Sequence, residues 1–527
     1  MTTTVDVELS EFASSLRGLS MPAALDRAAE QHGDRRAIVH VEGGGPNLTW
    51  SEFRTRVSQL RSGLQRLGVR AGDKVGVQLR NQVEFPLTWF ALAELGAAIV
   101  PMNPGYTERE AEFVLTDSEA RWLIAADDVL AAYSDGEVGP VLRQNIIGVA
   151  KPGEPGPAFD SLLNGDILPL REYPDHDTIA NIQFTSGTTG LPKGCLLTHR
   201  YWVELGVWGS GFFDVQRILA DHPFFYMQNQ MYLMSALAGG GAIYVTAGLS
   251  RRKFMGWLVD HQIDLAWLSE GMLEFPESPD DSALALKRAP VDGMPPEAIA
   301  AVETRFGLLA RDTYGSTELG VGIAVPWDRP DLAARGSMGF CFPTRESKIV
   351  DENLRELPPG EAGELCVRGE GLMLGYHNRP EVNAELLLPG GWFRTGDLVR
   401  KDEEGAHYFI GRLKDIIRRS GENISAAEVE QQLMAMPDVA EAAVIPVPDA
   451  DRGEEVKALI VLRPGAEVTA ETIVAHARNT LARFKVPRFL EFRDELPHTG
   501  SGKVRKAELK SEDPINTNTL DVLLLGS

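Results

Sequence analysis

Apolar positions Phe53, Val57, Leu60, Leu64 and Leu67 recur at helical spacing and stop at Gly68, which predicts an amphipathic helix with one face in the core. Lys74-Val75-Gly76-Val77-Gln78-Leu79 then reads as a short strand, and the apolar segment from Phe90 to Val100 ends at Pro101 and the Asn103-Pro104 turn. Such alternation predicts parallel sheet with helices on its faces. Residues 150–172 hold several Pro and Gly residues with a poor apolar pattern and predict an irregular connector. Ile182-Gln183-Phe184 predicts a strand entering a polar loop and Gly194 to Leu197 a strand leaving it, before a second α/β pattern from Tyr201 to about Phe306. From Glu346 the texture changes to short strands and tight turns, Ser347-Lys348-Ile349-Val350, Pro358-Pro359-Gly360 and Gly363 to Arg368, which predicts a small β region. A compact set of strands and helices follows Arg412 and ends near Lys510.

The expected fold class is therefore α/β: a large N-terminal domain of two α/β subdomains plus a small β region, and a small mobile α+β C-terminal lid domain. The expected boundaries are 1–412, 413–510 and a tail, 511–527. A chain of 527 residues is too long for one ordinary core, which agrees with two or more domains. Hydrophobic content of 43% and charged content of 24% are those of a globular protein. The first residues carry neither a basic nor an apolar segment, so no signal peptide is expected, and no apolar run is long enough for a membrane span. Cys195, Cys341 and Cys366 are far apart, which argues against disulfides or a zinc site and for a cytoplasmic enzyme.

Net charge is −23, which excludes a nucleic-acid binder as the main reading. Residues 411–510 are an exception to the acidity, with 16 Lys+Arg against 16 Asp+Glu.

The chemistry concentrates in Phe184-Thr185-Ser186-Gly187-Thr188-Thr189-Gly190-Leu191-Pro192-Lys193-Gly194. Glycines let backbone N–H groups turn inward as an anion nest, while hydroxyls and one ammonium satisfy the remaining phosphate oxygens. It is not a Walker A loop, because Gly194 stands where that pattern needs a hydroxyl after the lysine. The order T-S-G-T-T-G-x-P-K-G closely resembles the phosphate loop of the adenylate-forming superfamily, which includes acyl-CoA synthetases, peptide-synthetase adenylation domains and firefly luciferase.

Three further segments carry the resemblance over nearly the whole chain. Tyr314-Gly315-Ser316-Thr317-Glu318 is similar to the family's Y-G-x-T-E. A carboxylate beside phosphates needs an intervening divalent cation, so Glu318 is the expected Mg²⁺ ligand, with Tyr314 stacking on the purine and Thr317 bonding the α-phosphate. Trp392 to Asp397 resembles the ribose-binding segment, with Asp397 accepting from the ribose diol and Arg412 nearby. Thr499-Gly500-Ser501-Gly502-Lys503 places Lys503 at the family's catalytic lysine.

The resemblance implies a two-step reaction. A carboxylic acid attacks the α-phosphate of ATP to give an acyl-adenylate and pyrophosphate, and CoA then displaces AMP. An acceptor other than CoA, whether a carrier-protein thiol, an amine, or an aryl amine meeting ATP-activated nitrite, is the alternative, and a non-catalytic nucleotide sensor a third. Lys503, Glu318, Thr185 and Thr317 would carry the catalysis. The nucleotide would be held by Thr185, Ser186, Gly187, Thr188, Thr189, Gly190, Lys193, Tyr314, Gly315, Ser316, Thr317, Asp397, Arg412 and Lys503. Trp202, Tyr226, Met227, Gln228, Leu319 and Gly320 would line the acid pocket. Lys414 would be the hinge on which the lid rotates, and Ser420, Gly421 and Glu422 would line the passage for CoA. Arg418, Arg419, Arg452, Arg483, Lys485 and Arg488 are candidate contacts to its phosphates, or simply solvated charges.

Within the superfamily the text from Gly336 to Leu509 looks most like the carnitine/crotonobetaine-CoA ligase branch. Two positions depart from the family pattern. Tyr226 stands where many members have histidine, keeping an aromatic gate but no titratable imidazole, and Arg288 replaces the glycine of G-A-P on the adenine side. The aromatic stretch between Tyr201 and Tyr232 favours a compact, aromatic or unsaturated acid over a long chain, although such stripes are more often core. Leu520 to Leu525 lie beyond the family pattern and read as a segment docked on the protein, as the interface of a homodimer, or as a disordered tail.

Overall fold

Thr49 and Glu52 form a reciprocal capping box that starts the helix Trp50–Leu67, and Gly68, at φ 109°, ends it in a left-handed cap. Phe53, Val57, Leu60 and Leu64 are fully buried, as their spacing predicts. Leu67 departs from that expectation: it closes the last turn of the helix and is 47% exposed. The computed structural model describes residues 4–524 apart from 43–44, 134–138, 142, 151–156, 171, 186–191, 215, 420–421, 450–451 and 499–501. Two units make up the chain, the first from 1–185, 193–346 and 367–393, the second from 186–192, 347–366 and 394–527.

The first unit is built on sheets covered by helices. A six-stranded sheet runs in the order Ile146–Val149, Trp122–Ala126, Lys74–Gln78, Ala98–Pro101, Ile179–Thr185, Lys193–Thr198. Its pairs are parallel except the last, where Thr185 lies opposite Lys193 across an antiparallel pair. Thr185 and Lys193 are therefore brought side by side at the sheet edge. Two four-stranded sheets follow, Leu48–Thr49, Arg36–His40, Ala242–Val245, Arg217–Ala220, and Arg288–Val291, Leu309–Ser316, Gly320–Ala324, Phe340–Cys341. Leu265 bridges them by pairing with Ile218 on one side and Arg288 on the other.

The helices His199–Phe213 and Met227–Gly239 pack closely because Gly206 faces the Met234 carbonyl, where a Cβ would come within 2.6 Å. The connector at 150–172 is not wholly irregular, since Pro157–Leu163 is a helix. Among the described residues no helix is long and apolar enough to cross a membrane.

In the second unit, residues 397–401 pair with His407–Arg412 in antiparallel register. From Ile416 on, the unit is a six-stranded sheet that places Gly453–Leu462 between Val439–Asp449 and Phe489–Phe492, with Ile416–Arg419 and Glu422–Ser425 beyond. Helices Ala426–Met434 and Ala470–Thr480 cover it through Val429, Leu433, Ile473, Val474 and Ala477. The tail expected at 511–527 is part of this unit as far as the chain is described. Leu520–Asp521 adds an antiparallel strand to Phe489–Phe492, and Val522 is 6% exposed within the core. Pro514 and Thr519 accept hydrogen bonds from the ammonium of the buried Lys457. Of the three readings of the C-terminal segment, docking on its own unit is the one observed.

Candidate active site

In the first unit the strand Ile179–Thr185 delivers Thr185, half-buried, to the mouth of the hairpin, and its hydroxyl reaches the Lys193 carbonyl at 3.4 Å. Ser186, Gly187, Thr188, Thr189 and Gly190 lie outside the described residues. Gly194 must be small, since a Cβ there would sit 2.6 Å from Ile182. Tyr314, Gly315 and Ser316 end the strand Leu309–Ser316, which pairs antiparallel with Gly320–Ala324, so Thr317, Glu318 and Leu319 occupy the turn between them. Gly320 adopts φ +66°, the left-handed conformation that this turn requires.

Glu318 is half-buried, and the Tyr376 hydroxyl donates to its Oε1 at 2.6 Å. The Tyr376 ring also lies under the Lys193 ammonium, 4.6 Å from the ring centroid. The segment 373–377 is tied to both neighbours through its backbone: Met373 N donates to the Glu318 carbonyl, while Leu374, Gly375 and His377 exchange bonds with Leu196 and Gly194. Cys195 sits beneath, fully buried, and burial together with the Glu318 charge pushes its thiol well up, against a smaller opposing effect of Lys193. It is an inert thiol.

Tyr201 joins the turn to the helix pair, its hydroxyl donating to the Thr317 carbonyl at 3.0 Å and lying 3.6 Å from the Met227 sulfur. Tyr226 stands at the position just before the helix Met227–Gly239, and Gln228 donates to Tyr232. Met227 and Gly320 both lie against the Tyr201 hydroxyl, and Tyr226, Met227 and Gln228 are half-buried. Burial, with Tyr226 adding a smaller effect, pushes the nearby Tyr106 phenol up to about 12. A chain of buried amides holds the 222–228 segment: Trp89 donates to Asn181, Asn181 to Gln230, Gln230 to the Phe224 carbonyl, and Gln183 to the Phe225 carbonyl. Tyr376, Asn181, Gln183 and Gln230 were not among the expected site residues. Polar residues in strand and helix positions that periodicity assigns to the core, 0 to 3% exposed here for the three amides, are the signal that could have found them.

Two expected pocket residues belong elsewhere. Trp202 is fully buried and packs edge-to-face on Trp89 and Tyr201, so it is core. Leu319 is also fully buried, and its contribution at the turn is a carbonyl that accepts from Arg345. Further along the helix His199–Phe213, Leu205, Trp208, Phe212, Met231 and Arg345 enclose a cavity of only about 20 Å³. Arg288 has a structural post: it donates to the carbonyls of Phe212 and Phe213 at 3.2 and 3.0 Å and lies over Trp327.

In the second unit, Asp397 and Arg412 are cross-strand partners, and Arg412 Nε lies 2.8 Å from Asp397 Oδ1. Lys414 lies in the single turn Leu413–Asp415, where Lys510 donates both to its carbonyl and to Asp415 at 3.0 Å. Glu422 opens the strand Glu422–Ser425, while Ser420 and Gly421 lie outside the described residues. Lys503 is exposed and follows Gly502 at φ +79°. Most of the candidate phosphate contacts prove to be engaged internally. Arg419, Arg452 and Arg488 converge on the buried Glu455, Arg488 also binds Asp449 and Asp521, and Lys485 pairs with Glu428. Arg418 and Arg483 remain exposed.

Comparison with known proteins places the chain in a family. Residues 25–377 match the AMP-binding enzyme family and residues 428–503 the AMP-binding enzyme C-terminal domain. The chain is 30% identical over 515 residues to a crotonobetaine/carnitine–CoA ligase of Salmonella paratyphi A, covering 94% of this chain and 99% of that one. It superposes on ATP-bound MatB from Rhodopseudomonas palustris with a TM-score of 0.82 at 25% identity, over 93% of this chain and 98% of the other. The o-succinylbenzoate CoA synthetase of Bacillus subtilis, solved with its acyl-adenylate intermediate, gives 0.81 at 25% identity over 94% and 99%.

Proposed function

Because the chain belongs to the AMP-binding enzyme family, we propose the following division of labour for an acid–CoA ligase. The enzyme activates a carboxylic acid with ATP and transfers the acyl group to CoA. In the first step an acid oxygen bonds to the α-phosphorus and the bond to pyrophosphate breaks. In the second the CoA sulfur bonds to the acyl carbon, and AMP leaves with the electron pair of the C–O bond.

Lys193 clamps the leaving phosphates beside Thr185 and the Ser186–Gly190 loop. Thr317 positions the α-phosphate, and Tyr314, Gly315 and Ser316 form the wall for the purine. Asp397 and Arg412 take the ribose. Lys503 stabilises the negative charge that accumulates between the acid and the α-phosphate, a task for which a preorganised donor is worth on the order of 10²–10³ in rate. Glu318 fits Mg²⁺: it is a single half-buried carboxylate, and this ion keeps most of its positions for water and phosphate oxygens. Bound there, Mg²⁺ would screen the charge of ATP and polarise the phosphoryl oxygens.

The observation that carries this reading is the contact of Tyr376 with both Glu318 and Lys193, which gathers an expected metal ligand and an expected phosphate clamp around one side chain. With Trp202 and Leu319 in the core, the acid pocket reduces to Tyr226, Met227, Gln228 and Gly320, a space for a compact acid. We assign the domains to 1–412 and 413–510, with 511–524 completing the second, and place the hinge at Lys414. CoA enters past Ser420, Gly421 and Glu422, with Arg418 and Arg483 available to its phosphates. The cytoplasm, where ATP, CoA and reduced thiols coexist, suits the three free buried cysteines. A homodimer would have to use a surface other than the docked strand Leu520–Asp521.

The test is AMP and pyrophosphate release from ATP across a panel of small acids with and without CoA. Turnover should require CoA, with pyrophosphate exchange proceeding in its absence. AMP release indifferent to CoA overturns the ligase reading.

A further inference from the structure

Tyr376 is 6% exposed and lies far in sequence from both side chains it touches. Its position is over-determined. The Asn383 side chain clasps the Tyr376 backbone from both ends, Oδ1 accepting from its N–H at 2.7 Å and Nδ2 donating to its carbonyl at 2.8 Å. Gly375 makes room for that clasp: at φ +139°, a Cβ there would lie 3.1 Å from the Asn383 amide. On the other side, Leu374 to His377 continue the sheet edge beside Gly194–Leu196, with donor–acceptor distances of 2.8 to 2.9 Å. A backbone fixed on both sides leaves the phenol little freedom beyond its ring torsions, and the ring is buried.

The two contacts of the phenol are chemically different. Its O–H donates to a carboxylate, which selects one orientation of Glu318 out of those that a solvated glutamate would sample. Its ring face attracts the Lys193 ammonium by the quadrupole. We infer that Tyr376 is a positioning residue for the adenylation step: its hydroxyl sets Glu318 in the orientation that receives the divalent cation, and its ring holds Lys193 at the mouth of the hairpin. The inference rests on the adenylation reading above, and it assigns the two halves of one side chain to two different ligands, the hydroxyl to the metal and the ring to the phosphates.

Binding without turnover separates these halves. Mn²⁺ is titrated into the full-length protein with ATP and no acid, the protein-bound ion being read from the enhancement of water-proton relaxation over that of Mn²⁺–ATP alone. Metal-free ATP binding is measured by calorimetry. Tyr376→Phe keeps the ring and loses the donor, so the Mn²⁺ dissociation constant should rise about tenfold, the worth of one hydrogen bond to a charged group, while metal-free ATP binding stays within about twofold. Tyr376→Leu removes both and should weaken metal-free ATP binding as well. In a Glu318→Ala background, Tyr376→Phe should change Mn²⁺ binding no further, which a general loosening of the fold would not reproduce.

Unchanged Mn²⁺ binding in Tyr376→Phe overturns the role of the hydroxyl, as does an equal loss in the Glu318→Ala background. Unchanged metal-free ATP binding in Tyr376→Leu overturns the role of the ring. If Tyr376→Phe fails to fold, Asn383→Ala, which releases the backbone clasp, should weaken Mn²⁺ binding in the same direction, and no change there overturns the inference. A wild type that binds ATP and Mn²⁺ normally, beside an inert variant, locates the failure in Tyr376. A wild type that binds neither overturns the adenylation reading along with it.

Discussion

Arg412 reaches Asp397 across two antiparallel strands at 2.8 Å, and the two ends of the pair are unequally exposed, the carboxylate side chain 3% and the guanidinium 46%. A buried charge depends on its partner more than an exposed one does. Arg412→Ala takes the guanidinium away from the buried Asp397 carboxylate and should cost about 2–3 kcal/mol of stability. Asp397→Asn leaves a solvated arginine and should cost about 1 kcal/mol or less. For nucleotide affinity the order reverses: Asp397→Asn should weaken ATP and AMP binding by about tenfold or more through the lost charge-assisted bonds. Denaturant melts and calorimetry on both variants check the crossing.

Lys503→Ala should lower acid-dependent pyrophosphate exchange by about 10²–10³. Lys503 is exposed in its own unit, so equilibrium ATP binding and the melting temperature should change little. A comparable loss of ATP affinity would move the lysine from catalysis to binding.

Restoring glycine at position 288 should not improve nucleotide binding. The Arg288 guanidinium holds the last two carbonyls of the helix His199–Phe213 and lies over Trp327, which itself donates to the Phe212 carbonyl. Arg288→Gly therefore loses a helix C-terminal cap and a cation–π contact, about 1–3 kcal/mol together. A lower melting temperature with an unchanged KM for ATP is the expected pair of results.

Asp312 lies on the strand that leads into Tyr314. Burial, with the like charge of Asp292 adding to it and the Gly293 N–H opposing, pushes its carboxyl up to about 7. A carboxyl whose pKa is higher folded than unfolded binds more protons in the folded state, so its contribution is greatest at acid pH and is lost as pH rises toward 7. Asp312→Asn, which cannot ionise, should be more stable than the wild type at pH 8 and lose that advantage near pH 4. Melting temperatures of both proteins across this range give the slope directly.

What the sequence made legible follows from what periodicity encodes. The helix Trp50–Leu67 carries its caps and stripe in one contiguous stretch, and the hairpin around the phosphate loop has its turn chemistry between two apolar strands. The four motif segments were equally local. Tyr376 was not legible, because its two contacts join residues that only the fold brings together, and Gly375-Tyr376 alone looks like any turn. The buried amides Asn181, Gln183 and Gln230 failed for a related reason: a polar letter in an apolar run does not name its partner. Trp202 was placed in the pocket as part of an aromatic stretch and Leu319 as the residue after Glu318, but along a helix or turn the next side chain points elsewhere. Arg419 and Arg488 looked like free charge because their counter-ions lie on neighbouring strands.

The strand Leu520–Asp521 makes the end of the chain a cover for a sheet edge. Ending the protein at Lys510 would strip the backbone partners from Phe489 and Leu490 and take away two oxygens that bind the Lys457 ammonium, leaving Glu491 as its buried counter-charge. An uncovered edge of this kind is a template for pairing with a second chain. A shortened protein should therefore be prone to aggregate even with every motif residue in place, and a fusion carried at the C-terminus would need a spacer long enough to leave that strand docked.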